Sequence, residues 1–277
     1  MDLTSAWQKL TRAQRHIDEL DREIKTFTKS DPYAMGWEAR GDEVYELVVA
    51  RAKPAPVRLS LAAGDAIHNL RSALDHAVWE LAGDKAHKGS GFPVQHLPRY
   101  KTEASGLEVD RWPGVASNML RGLTQAQIDT IEAMQPYHAR DLTASDLEAH
   151  PTHPLALNVM ILGLHRINNM DKHQRVLGPY PFATVRLHEL VEDGAVRDRG
   201  APKLLLTRME AGAVVVRINL AEFSRRPAVQ APTWTLLFGE AVIGESMWDH
   251  DAAALSATDI RIAEELIRQA LVRLGAA

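Results

Sequence analysis

Gly64-Asp65-Ala66-Ile67-His68-Asn69-Leu70-Arg71-Ser72-Ala73-Leu74-Asp75-His76-Ala77-Val78-Trp79 carries two kinds of residue on two sides of one helix. At about 100° per residue, Asp65, His68, Asn69, Ser72, Asp75, His76 and Trp79 fall within about one third of the circumference. Ala66, Leu70, Ala73, Leu74, Ala77 and Leu81 lie opposite. One face is therefore buried, and the other presents imidazoles, carboxylates, an amide and a hydroxyl. The pattern predicts a helix over 57–82 that starts after Pro54 and Pro56 and stops near Gly83, with interior Gly64 as its weak point.

Working toward the N-terminus, Leu3, Trp7, Leu10, Ile17, Leu20, Ile24 and Phe27 recur at threes and fours or their sums, which predicts an amphipathic helix over 3–28. Residues 33–51 alternate with period two around Gly41-Asp42 and read as a β-hairpin. Working toward the C-terminus, the Gly- and Pro-rich stretch 83–114 reads as a long surface loop. Thr124 and Gln127 form a capping box for a short helix through Met134. A helix over 154–173 is apolar nearly all round from Leu155 to Leu164, the mark of a central helix.

After Gly178 the texture turns to strands at 184–190, 203–209, 213–220 and 234–243, with a turn at Glu210-Ala211-Gly212. Val214, Val216, Ile218 and Leu220 are expected to share a buried face. A helix over 256–274 closes the chain, capped by Ser256 or Thr258 and ended by Gly275. The expected fold is α+β, a single domain over 1–277. It has a helical, motif-bearing part (1–180), a β-rich part (181–250) forming an antiparallel sheet, and the closing helix.

The 277 residues are 45% hydrophobic and 25% charged, an ordinary globular composition. Zero cysteine excludes disulfides, thiolate metal sites and a Cys nucleophile, and suits a reducing cytoplasm. Residues 1–20 hold too many charges for a signal peptide or membrane span, so no membrane partner is expected. A net charge of −4 gives no global field toward nucleic acid, which leaves only a local basic site. No phosphate-cradling Gly-rich loop, G-x-S-x-G elbow, zinc-finger spacing or DNA-binding motif occurs.

The chemistry concentrates in the 64–79 stripe and in Leu162-Gly163-Leu164-His165-Arg166-Ile167-Asn168-Asn169-Met170-Asp171-Lys172-His173. In the second segment Arg166, Asn169 and His173 share one edge, which is expected to face the stripe. The pair G-D-x-x-H-N-L-R-x-x-L-D-H (64–76) and N-x-D-K-H (169–173) resembles a family of uncharacterised bacterial and phage proteins over most of residues 1–180. More remotely, Arg71-x4-His76, and more loosely Arg166-x6-His173, is similar to the R-x4-6-H signature of HEPN nucleases.

That resemblance implies a metal-independent ribonuclease, or an RNA- or nucleotide-binding protein, of prokaryotic defence or stress response, with no cofactor. It implies that His76 handles the 2′-hydroxyl or leaving-group proton, that Arg71 steadies the phosphate, and that His173 or Lys172 supplies the second role. His68, Asn69, Ser72, Asp75, Arg166, Asn169 and Asp171 are then the binding or orienting set. On a straight helix residues 71 and 76 point about 140° apart, so a kink, a long Arg reach or a homodimer partner has to unite them.

Two other readings stand beside it. One is a non-enzymatic interaction protein in which these residues form a structural His/Asp network. The other is a metal-dependent hydrolase using Asp65, His68, Asp75, His76, Asp171 and His173. Against the latter, His68 and His76 lie roughly 12 Å apart along the helix and no H-E-x-x-H spacing occurs. His16, His87, His96, His138, His150, His153, His188 and His250 read as surface groups, and Trp7 and Trp79 as core or interface aromatics.

Overall fold

The computed structural model describes residues 2–41, 43–104, 106–139, 155–173, 179–184, 187–190, 196–197, 207–219, 227–229, 233–240 and 253–277. Of the described residues between 171 and 208, and of most of those in the strands beyond 215, only the backbone is described.

Two 26-residue helices, α1 (Thr4–Lys29) and α2 (Val57–Ala82), lie antiparallel. Ser5 meets His76 at one end, His16 stands beside Asp65 midway, and Arg58 pairs with Glu23 at the other end. The threes and fours read in α1 are its packing face: Ala6, Leu10, Ala13, Ile17, Leu20 and Phe27 are buried. α2 is buried on more than one face, and Gly83 ends it at φ +53, where a Cβ is disfavoured.

Between these helices β1 (Tyr33–Ala39) and β2 (Val44–Ala52) form the expected antiparallel hairpin. The segment 83–114 is more than a loop. Arg99 forks onto Asp110 and ties β3 (Tyr100–Thr102) to β4 (Glu108–Asp110), and α3 (Trp112–Met119) begins before the stretch ends. Phe92 is fully buried, so this stretch contributes to the core. The Thr124/Gln127 capping box opens α4 (Gln125–Ala133) as read.

α5 (Ala156–His173) packs on α2, and α6 (Ala257–Ala276) packs on α1, α2 and α5. Ser256 caps α6 in a reciprocal box with Asp259. The helix runs past Gly275, because its last turn continues to pack through Leu274 while Gly275 sits against Leu3. One hydrophobic cluster runs from Leu3 to Leu274 and takes in Val215, Leu236, Phe238 and Leu255 from the strands.

The later strands are β5 (Pro179–Thr184), β6 (Leu187–Leu190), β7 (Val196–Arg197), β8 (Thr207–Arg208), β9 (Val214–Asn219), β10 (Pro227–Val229), β11 (Thr233–Glu240) and β12 (Ala253–Ser256). They divide among small sheets of order β10-β6-β7 and β12-β11-β5-β8, and β9 joins the N-terminal hairpin as β1-β2-β9. Every described pairing is antiparallel. The turn at 210–212 forms, with Gly212 at φ +87.

The buried face of β9 departs from the alternation. Val214 is exposed and Val215 buried, because the β2–β9 register shifts at Leu47/Val48. The side chains of Val216, Ile218 and Leu220 lie outside the described residues. No helix among the described residues is long and apolar enough to cross a membrane.

Candidate functional site around His165

The stripe on α2 sends its side chains to three different neighbours. His68 Nδ1 donates to Asn168 Oδ1 of α5 at 3.1 Å, which leaves Nε2 as the acceptor facing Ser72 Oγ at 3.4 Å. Asn69 turns back on its own helix and donates to the Asp65 carbonyl. Asp65 itself is exposed, 3.9 Å from His16 Nδ1. His76 shares a 2.9 Å hydrogen bond with Ser5 Oγ at the start of α1. One turn further on, the Glu80 carboxylate accepts the N–H groups of Ser5 and Ala6, capping α1 from outside.

Arg71 points elsewhere. Its Nη1 donates to Asp75 Oδ1 at 2.8 Å and its Nη2 to the Phe92 carbonyl at 2.7 Å, and the guanidinium lies over the Phe92 ring. Asp75 Oδ1 also accepts the Phe92 N–H at 2.9 Å. The backbone passes so close that a Cβ on Gly91 would stand 3.1 Å from that oxygen. Arg71 and His76 thus face different partners, as a straight helix requires.

His165 of α5 feels the charges of both Arg71 and Asp75. Its ring is half-buried, and its Nε2 lies 3.1 Å from Asn169 Nδ2, one turn on. Burial, then the charge of Arg71, push the imidazole down to about 4, with His96 and Arg166 acting the same way and Asp75 opposing. A histidine held there is neutral at physiological pH and able to accept a proton.

Of the α5 edge read from the sequence, Asn168 rather than Asn169 makes the bond to the α2 stripe, and Arg166 acts on His165. Asp171, Lys172 and His173 occupy the last turn of the helix, and their side chains lie outside the described residues. Among the described residues no three His, Asp or Glu groups stand close enough together to hold a metal ion.

Three surface readings change. His96 is half-buried and acts on His165. His16 is half-buried between Glu19 and Asp65. His87 is half-buried and clips its loop: its Nδ1 accepts the Gly89 N–H, and its Nε2 donates to the Asn118 carbonyl. Trp7 packs against the core, whereas Trp79 stands 49% exposed and is not a core residue.

His165 escaped the sequence reading because it follows an apolar run. Its signal was the i,i+4 spacing to Asn169 and the adjacent Arg166. Set beside known proteins, the chain matches no family model, no curated protein and no solved structure.

Proposed function

We propose that the chain binds RNA or a nucleotide through its phosphate at the Arg71–His165–Arg166 cluster and cleaves RNA without a metal. The observation that carries this reading is a half-buried imidazole, His165, kept neutral by burial and by the charges of Arg71 and Arg166, with Arg71 itself held by Asp75 and the Phe92 carbonyl. A guanidinium fixed in this way is pre-organised for a phosphate oxygen.

In the reaction, His165 takes the 2′-hydroxyl proton, the 2′-oxygen attacks phosphorus and the bond to the 5′-oxygen breaks. His173 or Lys172, in the last turn of the same helix, returns a proton to the leaving oxygen. The products are a 2′,3′-cyclic phosphate and a 5′-hydroxyl. His76 has no part in this version, since it is engaged with Ser5. The reading places the protein in the cytoplasm as a homodimer, a state that light scattering checks.

The test is single-stranded RNA incubated with the purified protein, with and without EDTA, and with its H165A and H76A variants. The expected result is cleavage that survives EDTA, leaves cyclic phosphate, falls at least about 100-fold in H165A and persists in H76A. EDTA-sensitive cleavage, or loss in H76A alone, overturns the assignment.

A second reading has its own observation. His68, Arg71 and His76 are each already bonded within the chain, to Asn168, to Asp75 and Phe92, and to Ser5. On that reading the stripe orders the helices, and function lies in partner binding. Absence of both cleavage and RNA binding, with large losses of stability in the variants, favours it.

A further inference from the structure

The strand β1 is bonded along one side and bare along the other. The Arg40 N–H donates to the Val44 carbonyl, and the register sets Glu38 against Glu46 and Gly36 against Val48, so these residues turn their backbone groups toward β2. The backbone groups of Met35, Trp37 and Ala39 therefore point away from β2. β1 is the outer strand in the order β1-β2-β9, and none of those outward groups has a hydrogen-bond partner among the described residues. The register shift at Ala34/Met35 leaves its extra residue, Ala50, on β2, so the outward row of β1 keeps its alternation. Trp37 is 43% exposed on this edge, although Leu47, its neighbour in β2, is buried. No Lys or Pro occurs between Tyr33 and Ala39 to block the edge.

We propose that this edge pairs with the same edge of a second copy of the chain, antiparallel and centred on Gly36, to make one sheet of order β9-β2-β1-β1-β2-β9. The inference gives the homodimer of the reading above its interface and does not depend on RNA binding. The centre falls on a pair without hydrogen bonds, where antiparallel strands come closest, about 4.5 Å between Cα atoms. Gly36 brings no side chain to that approach, and the space around it is open. In this register Met35 lies opposite the partner's Trp37 and covers it, while Glu38 lies opposite the partner's Ala34. The ion pair of Glu38 with Arg40 stays intact in each copy.

Charge selects the register. Centring the pairing on Trp37 makes the two Glu38 carboxylates diagonal neighbours, and centring it on Glu38 sets them face to face. Centring it on Met35 carries Ala39 past the end of the opposing strand.

The chain has no cysteine, so Gly36→Cys supplies a single thiol, at a position whose φ is not in the left-handed region. Two such thiols face one another across the two-fold axis within disulfide reach. In Glu38→Cys the thiols stand four residues apart along the paired strands, roughly 13 Å. Incubation with oxidised glutathione is expected to link Gly36→Cys into a covalent dimer and to leave Glu38→Cys unlinked. In sedimentation equilibrium the wild-type protein is expected to be a dimer, and Trp37→Lys to associate at least about tenfold more weakly with an unchanged melting temperature.

A wild-type protein that stays monomeric up to about 0.1 mM overturns the pairing and the homodimer together, and leaves RNA cleavage to its own test. The bare edge then belongs to an extended peptide of another protein. A dimer that Trp37→Lys leaves unchanged and that Gly36→Cys fails to link overturns this interface while the homodimer stands. Faster linking of Glu38→Cys than of Gly36→Cys overturns the register.

Discussion

At Asp75 one carboxylate oxygen answers two donors, the Arg71 guanidinium and the Phe92 N–H, with Gly91 pressed against it. Truncating it leaves a guanidinium that is 8% exposed without its charge partner and an inward N–H without an acceptor. Asp75→Ala is expected to cost about 1–3 kcal/mol in urea unfolding, and Asp75→Asn, which retains an acceptor, less.

His165 gives the second residue-scale prediction. Its value in the folded chain lies below the ordinary 6.5, so the unfolded chain binds the proton more readily. The stability that depends on this ring is intact above about pH 6.5, declines as pH falls, and is lost once pH passes about 4. Because the ring is only partly buried, the loss amounts to on the order of 1–2 kcal/mol. His165→Gln should remove that part of the acid slope, and a urea series between pH 7 and 4 on both proteins checks it. The residues in these predictions were unequally legible. Asp75 and Arg71 stand out in a helical repeat, whereas the surroundings of His165 depend on the packing of α5 against α2, which spacing along one helix does not encode.

The helices are the elements the sequence reveals most fully, because a period of three to four is a local property of the chain. Of the strands, the hairpin and the runs at 213–220 and 234–243 are legible, whereas β3, β4, β7, β10 and β12 are too short for an alternation to show and the run read at 184–190 falls on β5 and β6; pairing is decided by which edges meet. The segment 83–114 misled for a related reason: its Gly and Pro content signals a loop, while its anchoring through Phe92 and Arg99 comes from α2 and α4. One element-scale prediction concerns the start of α1, which has no side-chain cap of its own and depends on Glu80. Glu80→Ala should fray the first turn at a cost of about 1–2 kcal/mol. Faster hydrogen exchange at residues 5–8, with the middle of α1 unchanged, is the expected signature.

Across the whole molecule, the two ends of the chain are fastened twice. β9 pairs with β2, and Glu46, buried between them, receives both Arg40 and Arg217. These guanidiniums hold the Glu46 carboxyl below its usual range. α6 lies on α1, with Arg261 paired to Asp21 and near Asp18. Glu46→Gln should loosen the outer strand without melting the hairpin. Amide exchange is expected to quicken in β9 and to stay slow in β1 and β2, and uniform quickening across all three strands would contradict it.

The distance along the chain between β2 and β9 also imposes a timetable. When the ribosome has released the hairpin, the edge of β2 that β9 will cover is an open row of hydrogen-bonding groups flanked by Leu47, Val48 and Val49. About 170 more residues must emerge before its partner arrives, a wait on the order of 10–30 s at ordinary elongation rates. Throughout that interval the nascent chain offers an adhesive strand to its neighbours. Its yield in a cell is therefore set by what shields that edge during synthesis as well as by the stability of the finished fold.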